Sequence, residues 1–257
     1  MLTLDKFEEA SEIVKKATQE TKLIYSKYFS EQTGNKVYLK PENMQTTGAY
    51  KVRGAYYKIS TLSEEERQKG LITASAGNHA QGVAYAAKEF GAKAVIVMPT
   101  TTPLIKVNRT RSYGAEVVLH GSVYDESYQK ALEIAEERNM TFVHPFNDLA
   151  VATGQGSIAM EIFKELPTVD IILVPIGGGG LAAGVSTLAK MLNPNIKVIG
   201  VEPANAACMK ASLKAGKVVS LPSAVTIADG TAVKTPGDVV FPYIQKNLDD
   251  IITVEDE

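Results

Sequence analysis

Cysteine and histidine are scarce in this sequence, which has one cysteine, Cys208, and three histidines in 257 residues. A single cysteine excludes an internal disulfide and suits a reducing compartment. The histidines lie far apart and no paired Cys or His spacing of the structural zinc type occurs, so we predict no metal centre. The start of the chain, MLTLDKFEEA, has neither the basic region nor the apolar run of a signal peptide, which predicts a cytoplasmic protein.

The sequence also lacks an excess of charge of either sign. It has 27 Lys and Arg against 29 Asp and Glu, a net charge of −2, with 45% hydrophobic and 22% charged residues. This balance gives no electrostatic reason for a nucleic-acid or membrane-surface partner, so we predict neither. The composition is that of a globular protein, and the length suffices for two domains, each with its own core.

Short apolar runs alternate with segments of helical periodicity along the chain, after a first helix that starts at Leu4 with Thr3 as its N-cap. Strands are predicted at 37–39, 71–74, 94–98, 116–119, 142–143, 171–175, 197–201 and 251–254. Helices are predicted at 79–90, 103–113, 123–139, 155–166, 181–192 and 206–215. This alternation predicts an α/β fold with two doubly wound parallel-sheet lobes. We assign 1–52 and 147–257 to a large domain and 53–146 to a small one, with the ligand cleft between them.

A lysine with chemical potential lies in the stretch TGAYKVRG (47–54), which the pattern places between a strand and a helix. Two glycines, Gly48 and Gly54, bracket Lys51, which follows the aromatic Tyr50, and no acidic residue is near in sequence. A buried lysine loses its proton readily, and the free amine forms imines with carbonyl cofactors. The stretch alone does not separate this role from that of a surface lysine.

Four consecutive glycines follow the apolar run 171–176 and precede a helical pattern that begins at Leu181. Backbone N–H groups in such a loop converge on an anion, and the helix N-terminus adds partial positive charge. A tight strand-to-helix turn needs only one or two glycines, so the run favours a phosphate site.

The same loop also fits a different cofactor. Gly177, Gly179 and Ala182 have the spacing of a dinucleotide fingerprint, and Glu202 ends the next strand, where an acid that binds ribose would stand. A nicotinamide-dependent oxidoreductase is therefore the alternative enzyme class, although it leaves the Lys51 stretch without a role.

A second small-residue loop, SAGNHAQG (75–82), links a predicted strand to a helix. Its N–H groups suit a carboxylate, and Asn78 adds an amide donor. Asn78 could also be a helix cap and His79 a packing residue. An imine-forming lysine, a phosphate cradle and a carboxylate cradle together indicate a pyridoxal phosphate enzyme that acts on an amino acid.

At this point the sequence resembles the catabolic threonine dehydratases (threonine ammonia-lyases), with serine dehydratases and serine racemases close by. The match runs from about Val37 to the end of the chain. It rests on ordered motifs, which include VYLKPENMQTTGAYKVRGAYYKI (37–59), TASAGNHAQGVAYAA (73–87), HPFND (144–148), VPIGGGGLAAG (174–184) and ADGTAV (228–233). The resemblance implies the fold-type-II, tryptophan synthase β-like arrangement, with the cofactor in the cleft between the lobes.

The resemblance implies pyridoxal 5'-phosphate as cofactor, bound through an imine to Lys51. Asn78 would contact its phenolic oxygen, and Tyr50 and Gly230 would lie on opposite faces of its ring. The phosphate would be held by the glycine loop, namely Gly177, Gly178, Gly179, Gly180 and Leu181.

For the substrate, the resemblance implies that one loop grips the carboxylate, namely Ser75, Ala76, Gly77, Asn78 and His79. Lys51 would remove the α-proton, and the β-hydroxyl would then leave. Threonine would give 2-oxobutanoate and ammonia, and serine would give pyruvate. Catabolic relatives are commonly oligomeric and activated by nucleotides, so a homo-oligomer, dimer or tetramer, and a nucleotide effector enter as expectations.

Two departures from the racemases favour a dehydratase. Ala76 stands where racemases have a serine that exchanges a proton on the cofactor face opposite the lysine. Their divalent cation site would map onto Glu202, Ala206 and Cys208, and the thiol of Cys208 replaces the hard oxygen ligand that magnesium or calcium prefers.

Relatives continue with further helices and strands past the equivalent of Glu257, including a serine or cysteine that meets the pyridine nitrogen. We therefore expect this chain to be truncated, with exposed apolar surface at a sheet and reduced activity. A non-catalytic fragment is the third hypothesis, beside the lyase and the nicotinamide enzyme.

Overall fold

The computed structural model describes residues 1–257 and contains eleven α-helices and nine β-strands. The helices are α1 (Leu4–Val14), α2 (Lys27–Thr33), α3 (Lys51–Ser60), α4 (Glu64–Gln68), α5 (Asn78–Glu89), α6 (Leu104–Ser112), α7 (Tyr124–Glu137), α8 (Leu149–Glu165), α9 (Gly180–Leu192), α10 (Cys208–Ala215) and α11 (Phe241–Asn247). The strands are β1 (Ile24–Tyr25), β2 (Tyr38–Leu39), β3 (Leu71–Ala74), β4 (Ala94–Met98), β5 (Glu116–Leu119), β6 (Thr141–Phe142), β7 (Ile171–Pro175), β8 (Lys197–Pro203) and β9 (Asp250–Val254).

Side-chain caps set the starts of the helices α1 and α4. The Thr3 side chain accepts a hydrogen bond from the N–H of Lys6 at the start of α1. At α4, Ser63 and Glu66 form a reciprocal capping box, with each side chain accepting from the other's backbone N–H. These bonds satisfy donors that the helix itself cannot pair, and the predicted start of α1 at Leu4 is confirmed.

The first sheet has the strand order β5-β4-β3-β6, with all strands parallel. The connections from β3 to β4 and from β4 to β5 move along the sheet in one direction. The connection from β5 to β6 runs in the opposite direction and places β6 on the other side of β3. Right-handed crossovers therefore put α5 and α6 on one face and α7 on the other. Two apolar clusters, one on each face of the sheet, agree with this arrangement. One contains Ala80 and Val83 of α5 and Val107 of α6, and the other contains Ala131 and Ile134 of α7. The doubly wound arrangement is confirmed for this sheet.

The order of this sheet reverses between β3 and β6, which makes the carboxyl ends of these two strands a topological switch point. In open α/β sheets the ligand crevice lies at such a point. The segment 75–79 follows β3 and the segment 143–147 follows β6. The topology thus brings these two segments together at the expected site.

The second sheet has the order β7-β8-β9, also parallel. Its crossovers all run in one direction, so the helices that follow β7 and β8 lie on the same face. Ile172 and Val174 point into that face and belong to the largest apolar cluster, whereas Ile171 and Leu173 are 51% and 62% exposed. The second face of this sheet therefore carries apolar side chains with no helix over them.

Two adjacent isoleucines of β7 test this one-sided packing. Ile172→Ala should lower the free energy of unfolding by about 2–5 kcal/mol, because its side chain is buried in the cluster. Ile171→Ala, with the same change of volume on the bare face, should cost less than about 0.5 kcal/mol. Denaturant unfolding of the two variants makes the comparison, and equal losses would contradict it.

Helices α3 and α8 pack closely and join the two lobes. The N–H of Gly54 donates to Oε1 of Gln155 at 3.1 Å, and a Cβ at Gly54 would lie 2.7 Å from the carbonyl oxygen of Val151. Gly54 is thus inside α3 and not in a turn, so the prediction that two glycines bracket Lys51 in a loop is wrong at this position. Gly48, with φ of +78°, is the turn residue.

Some elements have no counterpart among the sequence predictions. The strand predicted at 37–39 is confirmed as β2, but its antiparallel partner β1 and the helices α2 and α11 are not among the predictions. All four strands of the first sheet lie between residues 71 and 142, inside the predicted small domain, while the exact boundaries at 52 and 146 stay a prediction. No helix combines the length and apolar character needed to cross a membrane.

Candidate active site

Lys51 is the first residue of α3, and its side chain is turned toward the switch point. Its Nζ donates to the carbonyl oxygen of Pro145 at 2.7 Å and lies 5.6 Å from the centre of the Tyr50 ring. Burial without a carboxylate partner lowers the pKa of Lys51 to about 8. About one-tenth of the amine is therefore neutral at pH 7, enough to act as a nucleophile.

The backbone that carries Lys51 is anchored by Arg53, which is fully buried. Its guanidinium makes a bidentate contact with Glu42 at 2.8 and 2.9 Å and reaches both carboxylate oxygens of Glu161 at 2.6 and 2.9 Å. Lys40 also donates to Glu161, at 2.6 Å. This group ties α3 to α8 and to the short turn at 42–44, and so fixes the start of α3.

The glycine loop (177–180) has the geometry of an anion cradle. None of the six backbone N–H groups from Gly177 to Ala182 donates to a protein acceptor, and they lead into α9, a helix of 13 residues. Gly179 has φ of +103°, a conformation that other residues rarely adopt. Unpaired donors at the start of a helix are suited to a phosphate.

Packing explains two of the glycines more directly than an anion does. A Cβ at Gly178 would lie 2.3 Å from the ring of Phe146, and one at Gly180 would lie 2.9 Å from the Phe146 Cα. The sequence argument that four glycines require an anion is therefore incomplete, because close contact with Phe146 already excludes side chains here. The unpaired N–H groups are the stronger evidence for a ligand.

One pocket collects most of the predicted cofactor residues. Its lining consists of Tyr50, Lys51, Phe146, Pro175, Gly177, Gly178, Gly179, Gly180, Leu181, Ala182, Gly230 and Val233. The cavity has a volume of about 30 Å³, room for a group of about two water volumes, which matches a phosphate and not a whole cofactor. The residues present thus fit the phosphate end of the cofactor that the sequence implies.

The loop 75–79 lies beside this pocket and is not part of its lining. Gly82, on the first turns of α5, would place a Cβ 3.1 Å from the backbone of Lys51, so the helix that the loop begins touches the start of α3. The N–H groups of Asn78, His79 and Ala80 have no protein acceptor, while Gly77 donates to the Ser75 hydroxyl at 3.2 Å. Ser75, Ala76 and Gly77 are half-buried, and the exposed Asn78 side chain makes no hydrogen bond within the protein.

His79 differs from its neighbours because its side chain turns inward. Its Nε2 contacts the carbonyl oxygen of Val143 at 3.0 Å, and its buried Nδ1 has no partner. Burial, followed by the nearby charge of Lys51, lowers the pKa of His79 to about 3. Only the backbone of His79 therefore remains available to a carboxylate.

Glu202 has no access to a ligand. Its side chain is fully buried, and its two oxygens accept from the N–H groups of Met209 and Lys210 at 2.8 and 2.9 Å, at the start of α10. Burial raises its pKa to about 7. An acid that binds a ribose must face the cofactor. Glu202 does not meet this requirement, which argues against a dinucleotide-binding site at the glycine loop.

Comparison with known proteins agrees with this geometry. The family model described as "Pyridoxal-phosphate dependent enzyme" matches residues 14–257. The chain belongs to this family. It is 50% identical over 257 residues to the L-threonine ammonia-lyase of Thermotoga maritima, with all of the chain and 64% of that protein covered.

Solved structures of pyridoxal-phosphate-dependent enzymes are also similar. The processed form of threonine deaminase isoform 2 from Solanum lycopersicum superposes with a TM-score of 0.93 at 42% identity, covering 99% of this chain and 76% of that one. Maize serine racemase gives a TM-score of 0.95 at 36% identity, covering 98% and 77%. The fold class predicted from the sequence is confirmed. The chain spans about 64% of the length of the Thermotoga relative and of a second ammonia-lyase from Geobacter sulfurreducens.

For this member of the family, the sequence patterns did not point to the segment 143–147 as part of the site. The HPFND motif was noted, but no role was given to Pro145, whose carbonyl holds the Lys51 amine, or to Phe146, which covers the glycine loop. Its position directly after β6, at the switch point, is the signal that would have pointed to it.

Proposed function

We propose that the protein is a pyridoxal phosphate-dependent threonine ammonia-lyase, which converts L-threonine to 2-oxobutanoate and ammonia and L-serine to pyruvate and ammonia. One observation carries this proposal. Lys51, whose pKa is lowered, lines the same pocket as the unpaired backbone N–H groups of residues 177–182. The name of the Thermotoga relative supports the choice of threonine. The cytoplasmic location, the homo-oligomer and the nucleotide effector belong to the same proposal. The location is supported by the single cysteine, and the other two are supported by the family resemblance.

Different residues would bind the cofactor and the substrate. Lys51 would hold the cofactor covalently, the N–H groups of 177–182 would bind its phosphate, and Tyr50 and Gly230 would flank its ring. Asn78 would meet its phenolic oxygen. The free N–H groups at the start of α5 would bind the substrate carboxylate, where the helix dipole adds to their attraction.

The bound cofactor supplies an electron sink for the charge left when a proton leaves the substrate α-carbon. Once the substrate amine has replaced Lys51 on the cofactor, the freed Lys51 amine, with a pKa lowered to about 8 by burial, would accept that proton at Nζ. The β-hydroxyl would then leave, and together with the proton taken from the α-carbon it accounts for one water molecule. One water molecule is consumed when the enamine product hydrolyses to the 2-oxo acid and ammonia. Threonine is thus converted with no net gain or loss of water.

Covalent trapping tests the proposal. The purified 257-residue chain, incubated with pyridoxal phosphate and then reduced with borohydride, should carry the cofactor on the peptide that contains Lys51, and threonine should yield 2-oxobutanoate. Binding of NADH without attachment of pyridoxal phosphate would support the oxidoreductase instead. Attachment at exposed lysines only, with no keto acid formed, would contradict the assignment of the site.

A further inference from the structure

The segment 143–147 is held in place by two histidine side chains. His79, on α5, contacts the Val143 carbonyl at 3.0 Å, and the N–H of Val143 donates to the carbonyl of Ile72 in β3. Further along, Nδ1 of His144 accepts from the N–H groups of Phe146 at 3.2 Å and Asn147 at 2.8 Å. Both histidines thus bond to backbone groups on either side of Pro145.

Pro145 lies between these fixed points and carries the carbonyl that receives the Lys51 amine. Pro145 has no N–H with which to anchor itself, and its ring restricts φ. The direction of its carbonyl therefore depends on how the residues before and after it are held. The contact that orients Lys51 is therefore set from outside the pocket.

Both histidines stay neutral next to a charged lysine. A carbonyl can only accept, so Nε2 of His79 carries the proton that is donated to Val143. Nδ1 of His144 accepts, which puts the His144 proton on Nε2. Burial and the Lys51 charge lower the pKa of His79 to about 3 and that of His144 to about 4, so neither competes with Lys51 for a proton.

We propose that His79 is a positioning residue for Lys51, which acts through the Val143 carbonyl to keep the Pro145 carbonyl directed at the lysine amine. His144 supports the same segment from its other end. The assignment goes beyond the carboxylate-loop role expected for His79, and it rests on the proposed function only for the use that catalysis makes of the Lys51 amine.

The test measures the Lys51 amine in the cofactor-free protein. Acetic anhydride labelling as a function of pH, followed by peptide mapping, gives the pKa of Lys51, with the exposed Lys16 as an internal reference. In His79→Leu the donor to Val143 is lost and the Pro145 carbonyl no longer stabilises the ammonium form. The pKa of Lys51 should then fall by about one unit or more, because a hydrogen bond to a charged group is lost while burial remains.

Two variants separate positioning from general stability. His79→Gln places an amide donor close to the position of Nε2 and should return the Lys51 pKa to the parent value. The same change at an exposed histidine, His120→Leu, should leave it unmoved. A folded His79→Leu protein with the parent Lys51 pKa would overturn the proposal, as would a His79→Gln protein that behaves like His79→Leu.

If His79→Leu does not fold, His144→Ala and His144→Asn repeat the comparison from the other end of the segment. Asparagine keeps an acceptor for the two N–H groups and alanine does not. A lowered Lys51 pKa in the alanine variant alone supports the proposal, and equal values in both overturn it. Trapping of pyridoxal phosphate on the parent is scored separately, so a failure of the proposed function is distinguished from a failure of this inference.

Discussion

Replacing Lys51 with alanine is expected to abolish borohydride-stable attachment of pyridoxal phosphate and to lower threonine deamination by about 10⁴-fold or more. Under the proposed function, the change removes both the covalent link and the base that would accept the α-proton. No other lysine lines the pocket, so no second amine stands ready to replace it. Keto-acid release from threonine and from serine, measured with saturating cofactor, gives the result.

Two controls locate the effect at the amine. Lys51→Arg keeps the positive charge but cannot lose its proton near neutral pH, so it should be as inactive as the alanine variant. Lys88→Ala, at an exposed lysine of α5 with no ion pair, should retain full turnover. Persistent turnover in folded Lys51→Ala would remove Lys51 from the mechanism and with it the main support for the lyase.

The parts of the site that the sequence predicts are those with local signals. An apolar run that leads into small residues and then into a helical pattern indicates a strand, a turn and a helix, and this holds at both β3 and β7. Lys51 was singled out by its neighbours, and the structure places it in the pocket with Tyr50, Gly230 and the glycine loop. The placement of loop 75–79 outside the pocket lining could not be foreseen from spacing.

What the sequence could not predict depends on long-range contacts. Arg53 and Glu161 are 108 residues apart in the chain, and no local sequence pattern indicates that the two side chains form an ion pair. His79 reads as a member of a carboxylate loop, yet its ring faces the carbonyl of Val143, 64 residues away. A strand of two residues such as β1 is too short to show any periodicity.

The second large effect expected is on stability, at Arg53. Arg53→Met should lower the free energy of unfolding by about 3–5 kcal/mol, because Glu42 and Glu161 would remain partly buried without the guanidinium that pairs them. The size of the loss comes from the unpaired carboxylates and not from the net value of the ion pairs. Urea unfolding of parent and variant at pH 7 measures it.

The pH dependence of that loss distinguishes unpaired charge from lost packing. Burial alone would raise the pKa of Glu161, but hydrogen bonds from Arg53 and Lys40 hold it below the ordinary value. In the parent this lowered pKa stabilises the fold above the unfolded pKa, and that stability is lost as pH falls through the folded pKa. In Arg53→Met only Lys40 still opposes the effect of burial, so the pKa of Glu161 should rise, and protonation of this carboxylate in acid should remove part of the cost of leaving it without the guanidinium. The difference between the two proteins should therefore shrink from pH 7 to pH 4.

Neutralising the carboxylates separates the two causes at fixed pH. The triple variant Arg53→Met, Glu42→Gln, Glu161→Gln removes the stranded charges together with their partner, and it should recover most of the stability lost by Arg53→Met alone. A deficit that is constant with pH and unchanged in the triple variant would assign the role of Arg53 to packing. Because Arg53 lies two residues from Lys51 in the same helix turn, recovery would also mean that the start of α3 tolerates the loss of the ion pairs but not a buried carboxylate left without its guanidinium.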